Sequence, residues 1–229
     1  SLEPISDVVL NGEVAIQTGD FLDTGRSPDS TVDRDAWAFD IGATYDGLSE
    51  AIDVLPGLSL RAGYIYRSGQ DAVSTTDDLS STANENRAWD PMYEDQSHGM
   101  IANYIFDGMN DGVDSNGRTF TIGASAEPLE DLTVSVDYYF YRLDKKYASD
   151  NTAGQLRTLN DLTYNVTDNK DLGNELDVVL DYAYTEDVNM GLACGWFFPG
   201  DAFNNKGSSG YPDNNETATQ IIASVAVAF

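Results

Sequence analysis

The residues in this chain that could do chemistry are few, and most are carboxylates. Its 229 residues hold 39 Asp and Glu against 12 Lys and Arg, with one His and one Cys. A zinc site needs several Cys or His, and only Cys194 and His98 exist, so neither a metal centre nor an internal disulfide is expected. His98 lies near Glu94 and Asp95, but hydrolysis would also need a positioned nucleophile or a metal. No serine stands in a recognisable elbow, and a single His leaves no spare general base. No catalytic residue, cofactor or enzymatic activity is therefore expected. The stretch from Asp107 to Gly117 offers oxygen ligands of the kind calcium takes. It lacks the EF-hand spacing and its closing Glu, and reads better as an ordinary Asx-Gly loop. The formal net charge of −27 repels nucleic acid and attracts cations.

The remaining carboxylates fall into a pattern. Glu13, Asp40, Asp137, Glu175, Asp177 and Asp181 each occupy a position that alternates with apolar residues, as do Gln17, Arg61 and Arg67. Period-2 alternation marks strands with one apolar and one polar face. It recurs in eight segments, near residues 8–17, 37–45, 58–67, 120–126, 132–141, 175–184, 188–198 and 220–229. In the last, Ile221, Ala223, Val225, Val227 and Phe229 share one face, and Gln220, Ser224, Ala226 and Ala228 the other, with Ile222 the exception.

The connections alternate as well. Short ones lie near 47–56, 128–131 and 185–188, and long ones rich in Asp, Asn, Ser and Gly near 19–34, 69–116, 144–171 and 199–216. Outer-membrane barrels have short periplasmic turns and long external loops. With the C-terminus periplasmic, every long connection falls outside and every short one inside. A soluble β-sandwich also alternates, but it has no reason to sort its loops by length. Aromatic residues near the strand ends (Trp37, Tyr45, Tyr66, Tyr184, Trp196, Phe198) suit interfacial girdles. No apolar run approaches the ~18 residues a membrane helix needs. Leu2, Glu3 and Pro4 carry no basic signal region, so any export signal has been removed or lies upstream.

Several stretches carry a more specific resemblance. Gly173-Asn174-Glu175-Leu176-Asp177, Leu180-Asp181-Tyr182-Ala183-Tyr184 and Gly195-Trp196-Phe197-Phe198-Pro199-Gly200-Asp201 resemble the closing hairpin of the alginate-export family of outer-membrane barrels. Leu60 to Gln70 and Trp89-Asp90-Pro91-Met92-Tyr93 are similar to it too. The family's barrels are about twice as long, with about 18 strands, so the resemblance implies that this chain is a C-terminal half. A complete eight-strand barrel is the alternative, but such barrels fill their interiors with side chains. The inward positions here are mostly Gly, Ala, Ser, Thr and single carboxylates, which suit a wider, wetted lumen.

These observations predict an all-β, antiparallel transmembrane barrel: residues 1–229 form one domain, incomplete at the N-terminus, with eight strands of a 16–18-strand whole. The expected function is a bacterial outer-membrane porin or exporter-like channel. Six inward carboxylates against Arg61 and Arg67 suit cations, neutral small solutes or a polysaccharide better than a polyanion. They equally suit a wall that merely hydrogen-bonds water. Expected partners are outer-membrane lipid and lipopolysaccharide, with no nucleic acid. The alternative is a scaffold barrel whose acidic loops or lumen bind a protein.

Overall fold

The computed structural model describes residues 2–22, 31–48, 52, 55–70, 85–92, 98–106, 115–146, 154–157, 163–166, 169–203 and 215–229. Its strands are β1 (Leu2–Ile5), β2 (Val8–Leu22), β3 (Thr31–Tyr45), β4 (Ser59–Arg67), β5 (Glu85–Asn86), β6 (Gly117–Leu129), β7 (Leu132–Leu143), β8 (Gly154–Arg157), β9 (Thr163–Val166), β10 (Asp171–Thr185), β11 (Val188–Pro199) and β12 (Ala218–Val227). One short helix, α1 (Ala102–Phe106), and a 3-10 turn at Asp201–Phe203 complete the described elements. No described helix is long and apolar enough to cross a membrane, which says nothing about strands.

One antiparallel sheet dominates. Its order is β1-β2-β3-β4-β6-β7-β10-β11-β12, with β5 added in parallel beside β3. The eight long strands are the eight that alternation predicts, each paired with its sequence neighbour. The sheet is open, with β1 and β12 at opposite ends of the order. The expected tight connections are present. Glu130-Asp131 joins β6 to β7, and Asp131 takes the left-handed backbone (φ 63°) that Asx residues tolerate. Glu186-Asp187 joins β10 to β11. Pro128 can give no ladder hydrogen bond, and it sits where the β6–β7 register slips between Ala126 and Leu129.

The long connections hold more structure than expected. β2 and β3 stay paired out to Leu22 and Thr31, well into the stretch read as a loop. β8 and β9 make a separate hairpin within 144–171. β1 pairs back on β2 although no alternation announces it. The connection 69–116, expected on the outer side, sends two pieces, Ala88–Met92 and His98–Phe106, back over the sheet.

Parity sorts the two faces as expected. One carries Val14 and Ile16 (each 70% exposed), Ile41, Ile122, Leu192, Ile221 and Val225 (65%). Leaving such a side chain in water forfeits about 1.5–3 kcal/mol relative to burying it. The buried cluster lies on the charged face: Ile101, Ala102, Tyr141, Leu143, Leu172, Phe197, Ala202 and Phe203.

Candidate functional site

The charged face is ordered in rows by the register. One row runs Thr44–Arg61–Gly123–Asp137–Asp177–Gly195–Gln220 across β3, β4, β6, β7, β10, β11 and β12. Arg61 and Asp137 are two strands apart, yet Arg61 Nε donates to Asp137 Oδ1 at 2.7 Å and Nη2 to Oδ2 at 2.5 Å. The reason is Gly123 between them: a Cβ there would lie 2.7 Å from Arg61 Nε and collide with Asp137. Fork-to-fork pairs of this kind are strong and directional.

Asp177 continues the row, and Glu175 lies two residues away on the same face of β10. Both are buried, Glu175 fully and Asp177 to 4% exposure. What buries them is the segment His98–Phe106. The backbone N–H groups of Ile101 and Ala102 donate to the two oxygens of Glu175 at 2.6 and 2.7 Å. That of Met100 donates to Asp177 Oδ2 at 3.0 Å. The first N–H groups of a helix have no partner inside it, so a carboxyl group placed there caps α1. Tyr141 Oη donates to the His98 carbonyl at 2.7 Å, holding the entrance to the segment. Gly99 makes this approach possible. Its φ is 96°, and a Cβ there would meet Glu175 Oε2 at 2.9 Å and collide with the Tyr141 hydroxyl.

A second piece, Ala88–Met92, docks on β2 and β3. Gln17 Nε2 donates to the Asp90 carbonyl at 2.6 Å, and Asp90 N donates back to Gln17 Oε1 at 3.0 Å. Arg34 donates to the Ala88 carbonyl at 2.8 Å and lies 3.5 Å from the Asp90 carboxylate. The small Ala36 and Ala38 leave the space that the Trp89 indole fills.

Beside His98 of the first piece a cleft of about 290 Å³ opens on the charged face, lined by Asn11, Asp40, Arg61, His98, Asp137 and Tyr139 among others. The nine residues singled out from sequence thus share a face but not a role. Arg61, Asp40 and Asp137 meet at the cleft, while Glu175 and Asp177 are anchors beneath a covering segment. Glu13 pairs in register with Asp40 and is exposed, as is Asp181 near the β10–β11 turn. Gln17 holds backbone, and Arg67 is buried at 7% exposure beyond the cleft. Glu94, Asp95 and residues 107–114 lie outside the described residues.

Sequence reading missed the covering segments, and with them Tyr139, Tyr141, Gly99 and Trp89. One signal was present: Tyr139 and Tyr141 fall on the charged face by parity, and two large rings there call for something to pack against.

At the long-connection end, just past β7, Asp144 forms a further anchor. It accepts from Arg118 Nε (3.1 Å), Tyr66 Oη (3.1 Å) and Gly69 N (3.1 Å). Burial pushes its carboxyl pKa up, but the hydrogen bonds from Arg118 and Gly69, the Arg118 charge and Tyr66 outweigh this and hold it below the ordinary 3.8.

Among the described residues, no group of three or more His, Cys, Asp or Glu is disposed to hold a metal ion. Comparison with curated proteins finds no match. The family model described as alginate export matches residues 6–215, which hold seven of the eight long strands, β12 lying beyond the match. With its register-ordered charged face and apolar opposite face, this chain belongs to the alginate export family.

Proposed function

We propose that the sheet forms part of the wall of a transmembrane outer-membrane barrel, wider than eight strands, whose charged face lines a water-filled passage. The observation that carries this reading is the apolar face. A dozen or more aliphatic and aromatic side chains stand exposed along all eight long strands, which hydrocarbon favours and water does not. The charged face sets what passes. Arg61 and Asp137 neutralise one another, and Glu175 and Asp177 are covered. Glu13, Asp40 and Asp181 make no ion pair among the described residues, so the free charge on the wall is negative. Such a wall favours cations and neutral solutes, including an uncharged polysaccharide, over a polyanion.

The reversal potential of the full chain in a planar bilayer under a salt gradient tests this. A cation-selective conductance is the expected result, and anion selectivity would restore a polyanion as cargo. A second reading, a scaffold barrel that binds a protein partner, draws on the two segments folded over the charged face, which reduce the open lumen. The absence of any conductance from inserted protein would favour it.

A further inference from the structure

The apolar face changes character at one place on its long-connection end. Three register rows cross β4, β6, β7 and β10 there. The outermost holds Tyr66, Arg118, Arg142 and Asp171. The next, about 7 Å further along the strands, holds Tyr64, Phe120, Phe140 and Asn174, and the third holds Ala62, Ile122, Tyr138 and Leu176. A cationic row therefore sits directly above an aromatic row and an apolar one.

Arg118 and Arg142 face each other across neighbouring strands, an arrangement that destabilises a sheet unless something neutralises it. Arg118 has Asp144, and its guanidinium lies 5.4 Å over the Tyr66 ring. Arg142 is exposed and forms no ion pair among the described residues. Asp171 opposes it in register, but that carboxylate accepts the N–H of Gly173 at 3.2 Å. Lys145 and Lys146 follow at once, and Lys170 Nζ reaches the Asp144 carbonyl. Five of the chain's 12 Lys and Arg thus gather at this corner. The corresponding end of β2 and β3 is the opposite, with Asp20 against Asp33 and Asp35 against Thr18. The cluster is a local feature and not a property of the whole rim.

We infer that Arg142 and Lys146, beside the Arg118 that Asp144 holds in place, seat the phosphate of an anionic glycolipid, whose acyl chains lie along Phe120, Phe140 and Ile122. Arginine matches phosphate by paired hydrogen bonds, and phenyl rings exposed just below offer nothing to a free ion but fit a lipid chain. The inference rests on the barrel reading above, since it places this end of the strands at a lipid surface.

The test uses the full chain in vesicles and detergent-lipid particles, with diphosphoryl lipid A and its dephosphorylated form as probes. Retention of each lipid is read by native mass spectrometry. The wild-type chain is expected to prefer the phosphorylated form by about tenfold or more. The double variant Arg142→Gln/Lys146→Gln should lose that preference, while Asp20→Asn/Asp35→Asn should keep it. Equal retention of both lipids by the wild type, or an unchanged preference in the double variant, would overturn the inference. So would full displacement by inorganic phosphate, which would assign the cluster to a free anion. Heat-modifiable gel mobility reports insertion separately. A chain that never inserts refutes the barrel and this site together, and one that inserts without lipid preference refutes the site alone.

Discussion

The charged face has two ends that look alike in sequence and differ in structure. Over β7, β10 and β11, carboxylates are covered: Glu175 and Asp177 hold backbone N–H groups of a segment packed on Tyr141 and Phe197. Over β2 and β3, Glu13 and Asp40 stand side by side with no such cover, and only Trp89 and its neighbours dock nearby. Lying on the charged face therefore does not decide what a carboxylate does. One that meets unpaired N–H groups becomes part of the framework, and one left on the exposed surface keeps its charge open to solvent. The backbone of residues 100–102 makes the distinction.

The largest expected effect comes from breaking the covered end. Glu175→Ala leaves the N–H groups of Ile101 and Ala102 unpaired in a buried site and should cost roughly 3–5 kcal/mol locally. Amide exchange at those two residues should accelerate, and the conductance of inserted protein should rise as the segment lifts. Unchanged exchange would mean that apolar packing alone holds the segment.

Asp144 sharpens the same contrast away from the sheet centre, because it too is a carboxylate spent on holding chain. Asp144→Asn should cost about 2 kcal/mol. The pH dependence has a definite sign. A carboxylate whose pKa falls on folding stabilises above its unfolded value, near 3.8, and that contribution disappears as pH drops through the folded value. Wild-type stability should therefore decline below about pH 4, and the variant should lack that component of the decline. Parallel acid-unfolding curves for the two proteins would contradict it.

The smallest effect on stability belongs to the open end. Glu13→Gln/Asp40→Asn should change stability by no more than about 0.5 kcal/mol. Its signature is electrical: the reversal potential should move toward zero while the fold stays intact. A large loss of stability instead would show that these two carboxylates are also structural, and the contrast between the ends would collapse.

Much of this protein was legible from local pattern. Alternation located all eight long strands, and loop lengths located the tight turns at Asp131 and Asp187, because side-chain period and turn chemistry are properties of a few consecutive residues. The same parity put Glu13, Gln17, Asp40, Arg61, Arg67, Asp137, Glu175, Asp177 and Asp181 on one face. The Arg61–Asp137 pair was not legible, since it depends on β4, β6 and β7 aligning so that Gly123 falls between them. The β2–β3 extension to Leu22 and Thr31 escaped for a related reason: pairing with a neighbour sustains strands whose own residues, such as Asp20, Asp33 and Asp35, lack alternation.

By itself, then, the sequence determined an all-β chain with one apolar and one charged face, and which residues belong to each. Only tertiary structure decided which charges are exposed. The covering segment lies about 75 residues from Glu175 along the chain, and its backbone N–H groups carry no signature in residue type. Every non-proline residue has one, so the sequence cannot mark which of them a carboxylate will find.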